Sequence, residues 1–308
     1  MSSQQLTTEM LGYPHDARLL IINCDDFGMC YSGNLGTIRS MQDGLASSCS
    51  LMMPPAWNMH AVQFLRENAE VHFAVHLTAL SEYTHYRWRP LTPAEKVPTL
   101  VNEDGYFLAD DEFDEIVRRA DCRELEVEFR AQIEAVLGCG LDPTHLDSHY
   151  HLHASRSDIF DLTVGLAREY GLALRATRAV NDATYSSTRF VNDATYSQVM
   201  ERARNMEYPV LDHPVLDSGS LVPAEICSHL EKLLRELPAG LSEWALHPGV
   251  ATDELRAVMS APKVPGRTGT PEQRQADLDF ATSDEAASIV ETEGIQIISY
   301  EALQPFWK

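Results

Sequence analysis

The stretch RLLIINCDDFG, Arg18 to Gly28, decides how the chain is read. Its apolar run, residues 18–23, is too short for a helix and has the look of a strand buried on both faces. The run breaks abruptly into two adjacent carboxylates, Asp25 and Asp26, and then into Phe27-Gly28. Polar residues at the C-terminal end of a buried strand are where α/β enzymes build their sites. Neighbouring residues of extended chain point to opposite sides, so the two carboxylates can do different jobs, one binding a metal and one acting as a base. A helix cap or a solvated turn would use the same residue types.

Working outward, the pattern recurs. Strands are expected at 46–52, 71–77, 144–147, 172–177, 243–247 and 295–299. Helices are expected at 34–43, 55–67, 111–137, 155–170, 225–237 and 283–293. Alternating strands and helices argue for a parallel α/β fold, either a barrel or a doubly wound sheet. Polar clusters follow many separate strands, which favours a (β/α) barrel. No linker rich in Pro, Gly or Ser divides the chain, so residues 18–308 are expected to form one domain behind a flexible segment, 1–17. Two tandem stretches, TRAVNDATYSS (177–187) and TRFVNDATYSQ (188–198), match at nine of eleven positions. They read either as a local duplication tolerated in a surface loop or as a lengthened loop after a strand that extends one wall of a substrate cleft.

Composition excludes several classes. Among 308 residues, 46 are acidic and 24 basic, a formal net charge of −22. Such a chain repels phosphate backbones, and the basic residues are dispersed, so no nucleic-acid partner is expected. No apolar run reaches the length of a membrane span, and the N-terminus lacks an apolar signal core, so no membrane partner and a cytoplasmic location are expected. Six scattered cysteines without a CxxC read as reduced thiols. Cys24 beside the aspartates reads as a small buried residue rather than a nucleophile.

The densest chemistry is THLDSHYHLH, Thr144 to His153, with four histidines and Asp147 in ten residues. Neutral imidazole is a common transition-metal ligand. In extended chain His149, His151 and His153 would share one face with Asp147. All cannot bind one ion, since catalytic sites hold about three protein ligands and keep a position open. His76 closes the apolar run VHFAVHLT, 71–78, and would serve equally as a satisfied core residue. His247, in ALHPG, ends a late strand and reads either as a general acid or as a turn histidine. No GxGxxG, GxxxxGK[ST] or GxSxG occurs, so nucleotide-binding and serine-hydrolase readings lack support.

In order along the chain stand DDFG (25–28), GLASSCSLM (44–52), AVHLT (74–78), THLDSHYHLH (144–153), Leu174-Arg175 and HPG (247–249). This set resembles the YdjC-like (ChbG/HpnK) carbohydrate deacetylases over residues 18 to about 300. The resemblance implies a deformed (β/α) barrel of the NodB polysaccharide-deacetylase type. It also implies metal-dependent removal of an acetyl group from an N-acetylated amino sugar. At the matching positions, Asp26, His76 and His149 would hold the metal. Asp25 would be the general base and His247 the general acid. Asp147, His151, His153 and Arg175 would line the site or orient its members. Cys24, where the family usually has a small residue such as alanine, and the stretch 251–274 depart from the pattern.

One divalent ion is expected. The resemblance points to Mg²⁺, whereas two imidazoles and a carboxylate suit Zn²⁺ or Mn²⁺ better. The expected partner is an acetylated amino sugar, and the expected assembly a homodimer. A phosphoesterase, another amidohydrolase or a non-catalytic sugar-binding protein would also fit parts of the pattern.

Overall fold

The computed structural model describes residues 5–178, 193–218, 221–260 and 269–308. Most of the tandem repeat lies outside the described residues. Along the chain run α1 (Thr7–Met10), β1 (Arg18–Phe27), α2 (Tyr31–Asp43), β2 (Ser48–Leu51), α3 (Asn58–Glu67) and β3 (Phe73–Leu77). Then come α4 (Phe113–Arg119), α5 (Cys122–Gly138), β4 (His145–Ser148), α6 (Ser157–Tyr170), β5 (Ala173–Leu174) and α7 (Asp193–Arg204). The last third holds α8 (Pro223–Arg235), β6 (Gly240–Leu246), α9 (Asp253–Val258), α10 (Pro271–Ala281), α11 (Asp284–Thr292) and β7 (Gln296–Ile297).

All seven strands pair in parallel, in the order β5-β4-β3-β2-β1-β6, with β7 against the start of β1. The segment 211–216 spans the gap between the two ends of that row. Leu211 bridges Thr177 just beyond β5, and Leu216 bridges Trp244 of β6. Single bridges replace continuous ladders there, and this is the deformation of the (β/α) barrel.

Alternation sorts the side chains into two layers. Leu20 and Ile22 of β1 and Trp244 and Leu246 of β6 form an apolar cluster with Ile226, Leu230 and Leu234 of α8 and with Ala286 and Ile289 of α11. The other face points inward and is polar: Asn23, Asp25, Ser50, His76, Asp147 and Glu243 touch one another or Arg175 across the barrel. Tyr300, just after β7, closes the N-terminal end of the strands. Its ring stacks on His145 at 3.8 Å, and its hydroxyl donates to Glu243.

Two expectations are corrected. The helix expected over 111–137 is two, because Ala120 leaves the helical conformation and the Asp121 carboxylate caps α5 by accepting from Arg123 N. Strand β6 begins at Gly240 and ends at Leu246, so His247 is the first residue beyond it. In the N-terminal segment, α1 lies against the stretch 210–212. Thr7 is buried, its amide donates to Asp212 at 3.0 Å, and its hydroxyl donates to the Val210 carbonyl at 2.6 Å. Among the described residues no helix is long and apolar enough to cross a membrane, and no two cysteines are paired.

Candidate active site

The end of β1 is irregular. Its register against β2 shifts between Cys24 and Phe27, and Asp26 adopts a left-handed backbone at φ 64°. Gly28 follows at φ 102°, where a Cβ would lie 2.7 Å from the Met52 carbonyl oxygen. Left-handed backbone is costly for any residue but glycine and collects at functional sites. The local twist sends the two adjacent carboxylates to different neighbours, Asp25 into the barrel and Asp26 toward its mouth.

Asp26, His76 and His149 are buried, and one potential ligand atom of each lies within 4.8 Å of the others. His76 Nδ1 contacts Asp147 at 2.6 Å, and His149 Nε2 contacts Glu82 at 2.9 Å. A carboxylate can only accept, so each of those nitrogens carries the hydrogen. That leaves His76 Nε2 and His149 Nδ1 turned toward Asp26 Oδ1, at 3.5 and 3.1 Å. Asp26 Oδ1 itself accepts no hydrogen bond, although it is buried. Its other oxygen is held by Arg274 of α10 at 3.2 Å. A buried carboxylate oxygen opposite two imidazole nitrogens is the donor set of a divalent cation once the rings give up their protons, with hydrogen-bonded partners orienting both rings. The residues present fit such an ion.

Without an ion, the acidic surroundings favour protonated rings, a positive charge that a bound cation would replace. Burial would pull both imidazoles down, but for His76 Asp147 and Asp26 outweigh it, and the group is pushed up to about 10. Glu82 and Asp26 push His149 up to about 9. Burial would likewise raise Asp26, yet His149, His76 and His247 hold it well below the usual carboxylate range. Positive charge is what this pocket wants.

Asp25 sits beside this group under different control. Arg175 grips it with two parallel bonds, Nη2 to Oδ1 at 2.7 Å and Nη1 to Oδ2 at 2.8 Å. Asn23 donates a third bond at 2.7 Å. Burial raises the Asp25 carboxyl, but Arg175 outweighs it and the net shift is downward. The same guanidinium reaches Asp147 at 3.1 Å and Glu243 at 2.7 Å, so one buried cation serves three carboxylates.

The histidine run does not act as one face. Strand β4 ends at Ser148, and Tyr150 and His151 turn left-handed at φ 57° and 51°. This breaks the alternation assumed for extended chain. Only His149 joins Asp26. His153 turns away and meets the Ser148 hydroxyl at 2.6 Å, and burial lowers it to about 3. His145 is likewise pushed down to about 3 by burial, under the Tyr300 ring. His151 is half-buried near Asp25 and Asp217 and is lowered to about 4, first by burial and then by Arg175. Asp147 does not reach Asp26; it supports His76 and accepts from Ser50 at 2.5 Å.

His247 follows β6 at the same end of the barrel. Its turn is pressed against α2, where a Cβ on Gly36 would lie 2.5 Å from Pro248. Its amide donates to Asp277 at 3.3 Å, and Asp277 also accepts from Ser218 at 2.5 Å. Four contributors have no counterpart in the sequence reading: Glu82, Glu243, Arg274 and Asp277. Arg274 and Asp277 lie one turn apart on α10, which faces the site. That spacing was a usable signal; Glu82 and Glu243 carry none.

The sequence profile described as YdjC-like protein matches residues 19–292. A Thermoanaerobacter pseudethanolicus protein named carbohydrate deacetylase is 25% identical over 93% of this chain and 100% of its own length. A Clostridium beijerinckii protein of the same name is 34% identical, over 54% of this chain and 64% of its own. A crystal structure from Enterococcus faecalis V583 superposes with a TM-score of 0.70 at 24% identity, covering 93% of this chain and 99% of that one. That likeness concerns the fold.

Proposed function

This chain belongs to the YdjC-like protein family, and from that membership we propose that it is a metal-dependent carbohydrate deacetylase acting on N-acetylated amino sugars. The observation that supports the reading most is the Asp26 Oδ1 atom, buried, unbonded and faced by two imidazole nitrogens. The relatives named carbohydrate deacetylase support the substrate class.

Asp26, His76 and His149 would hold the ion. When bound, it would polarise the acetyl carbonyl and acidify a water. The remaining chemistry belongs to the chain. Asp25, kept ionised and fixed in direction by Arg175 and Asn23, takes the water's proton. His247 gives a proton to the departing amine, its backbone fixed by Asp277. Asp147 and Glu82 hold the two imidazoles in the tautomer that leaves a lone pair inward. A two-metal phosphoesterase needs a second ligand group, and among the described residues only one has the required geometry.

The test is acetate release from N-acetylated chitooligosaccharides by chelator-stripped protein reloaded with Mg²⁺, Mn²⁺ or Zn²⁺. Acetate that appears only on reloading supports the reading. No acetate with any ion, or undiminished acetate from stripped protein, rejects it.

A further inference from the structure

A run of rings leads outward from the buried centre as far as Tyr86. His149 packs edge-on to Trp88 with centroids 6.3 Å apart, and Trp88 to Tyr86 at 5.9 Å. The Tyr86 hydroxyl donates to the Met29 carbonyl, and Met29 stands between Asp26 and Tyr31 in the chain. Two residues beyond Met29 a second, separate ring group stands at the surface. Tyr31 and Trp57 are 39% and 40% exposed, with ring centroids 5.0 Å apart. His60 packs edge-on against both. Asn34 locks the arrangement, accepting from Gly28 N and reaching the Trp57 carbonyl and the His60 ring. The platform is therefore braced against the same β1–α2 turn that carries Asp26. Trp88, Trp244 and Trp307 are all buried, so Trp57 is the one tryptophan at the surface.

Paired rings held rigidly at the rim of a polar site need an occupant with both apolar faces and hydroxyls. A pyranose ring has both: its axial C–H groups carry slight positive charge and pack on the electron-rich ring face, while its hydroxyls stay in water. The chain's net charge of −22 disfavours an anionic occupant. We propose that Tyr31, Trp57 and His60 form a subsite for a neighbouring sugar ring, so that acetylated oligosaccharides are bound in preference to monosaccharides. This rests on the deacetylase reading and specifies its substrate.

The test uses the full chain carrying Asp25→Asn, which keeps the sugar intact. N-acetylglucosamine and its dimer to tetramer are titrated while tryptophan emission is followed. The expected result is a saturable change with the oligomers, at concentrations at least tenfold below those for the monosaccharide, and its loss in Trp57→Phe. With Asp25 restored, Trp57→Ala should raise KM for the oligomers about tenfold and change kcat far less, and Trp57→Phe should bring KM back. An emission change of undiminished size in Trp57→Phe, or an unchanged KM in Trp57→Ala, overturns the proposal. So does a Trp57→Ala protein that changes its assembly state on a sizing column without changing KM, which would make the patch a contact between copies. If the unmodified protein releases no acetate, the deacetylase reading fails, while the emission titration still decides the platform.

Discussion

At the scale of single residues, the site separates two neighbouring carboxylates by their partners. Asp26 has an unbonded oxygen facing imidazoles, whereas both Asp25 oxygens are occupied by Arg175. Substitutions should separate them too. Asp26→Ala should lose bound metal and activity together, as measured by metal content and acetate release. Asp25→Asn should keep its metal and lose roughly 10²- to 10⁴-fold in kcat, the usual worth of a positioned general base. An Asp25→Asn protein that no longer holds metal would show that both carboxylates serve the ion. Glu82 offers a finer test, since its only polar contact to the centre is with His149 Nε2 at 2.9 Å. Glu82→Gln presents either an amide donor or a weaker acceptor to that nitrogen. Metal affinity should drop about 10- to 100-fold, read by competition with a chelator.

At the scale of elements, the strands were readable because they are short apolar runs between turn signals, and each expected strand overlaps an observed one. The histidine run departs from extended chain for a local reason. Strand β4 stops at Ser148, and two left-handed residues redirect everything after His149. Alternation is a property of extended chain and cannot survive such a turn. Helix α10 was missed because PEQRQADLDFA has too weak a periodic apolar stripe to announce a helix. Its polar residues face inward: Arg274 and Asp277 are buried beside Asp26 and His247. A helix that buries charge toward an active site hides from a search for apolar faces. Arg274→Met tests the importance of that helix. It leaves Asp26 Oδ2 buried without its cation, which should cost about 3–5 kcal/mol by denaturant unfolding of metal-free protein. A loss under 1 kcal/mol would mean that α10 is dispensable to the carboxylate.

At the scale of the whole molecule, the barrel carries a polar network through its centre that links Arg175, Asp25, Asp147, Glu243, His145 and Tyr300. One guanidinium cannot neutralise three carboxylates, and Glu243 takes the consequence. Burial, resisted by Arg175 and Tyr300, pushes it up to about 7 from an ordinary 4.5. Between those values the folded chain holds a proton that the unfolded chain has released. Stability from this group is therefore full below about pH 4.5 and falls as pH rises to 7. His145 and His153 run the other way. Their folded values near 3 lie below the ordinary 6.5, so stability is lost as pH falls from 6.5 toward 3. Glu243→Gln isolates the first effect, because glutamine mimics the protonated acid and cannot titrate. The difference in unfolding free energy between variant and parent should move in the variant's favour by about 3 kcal/mol between pH 4.5 and 8. A difference that stays flat with pH would show that Arg175 keeps Glu243 ionised throughout.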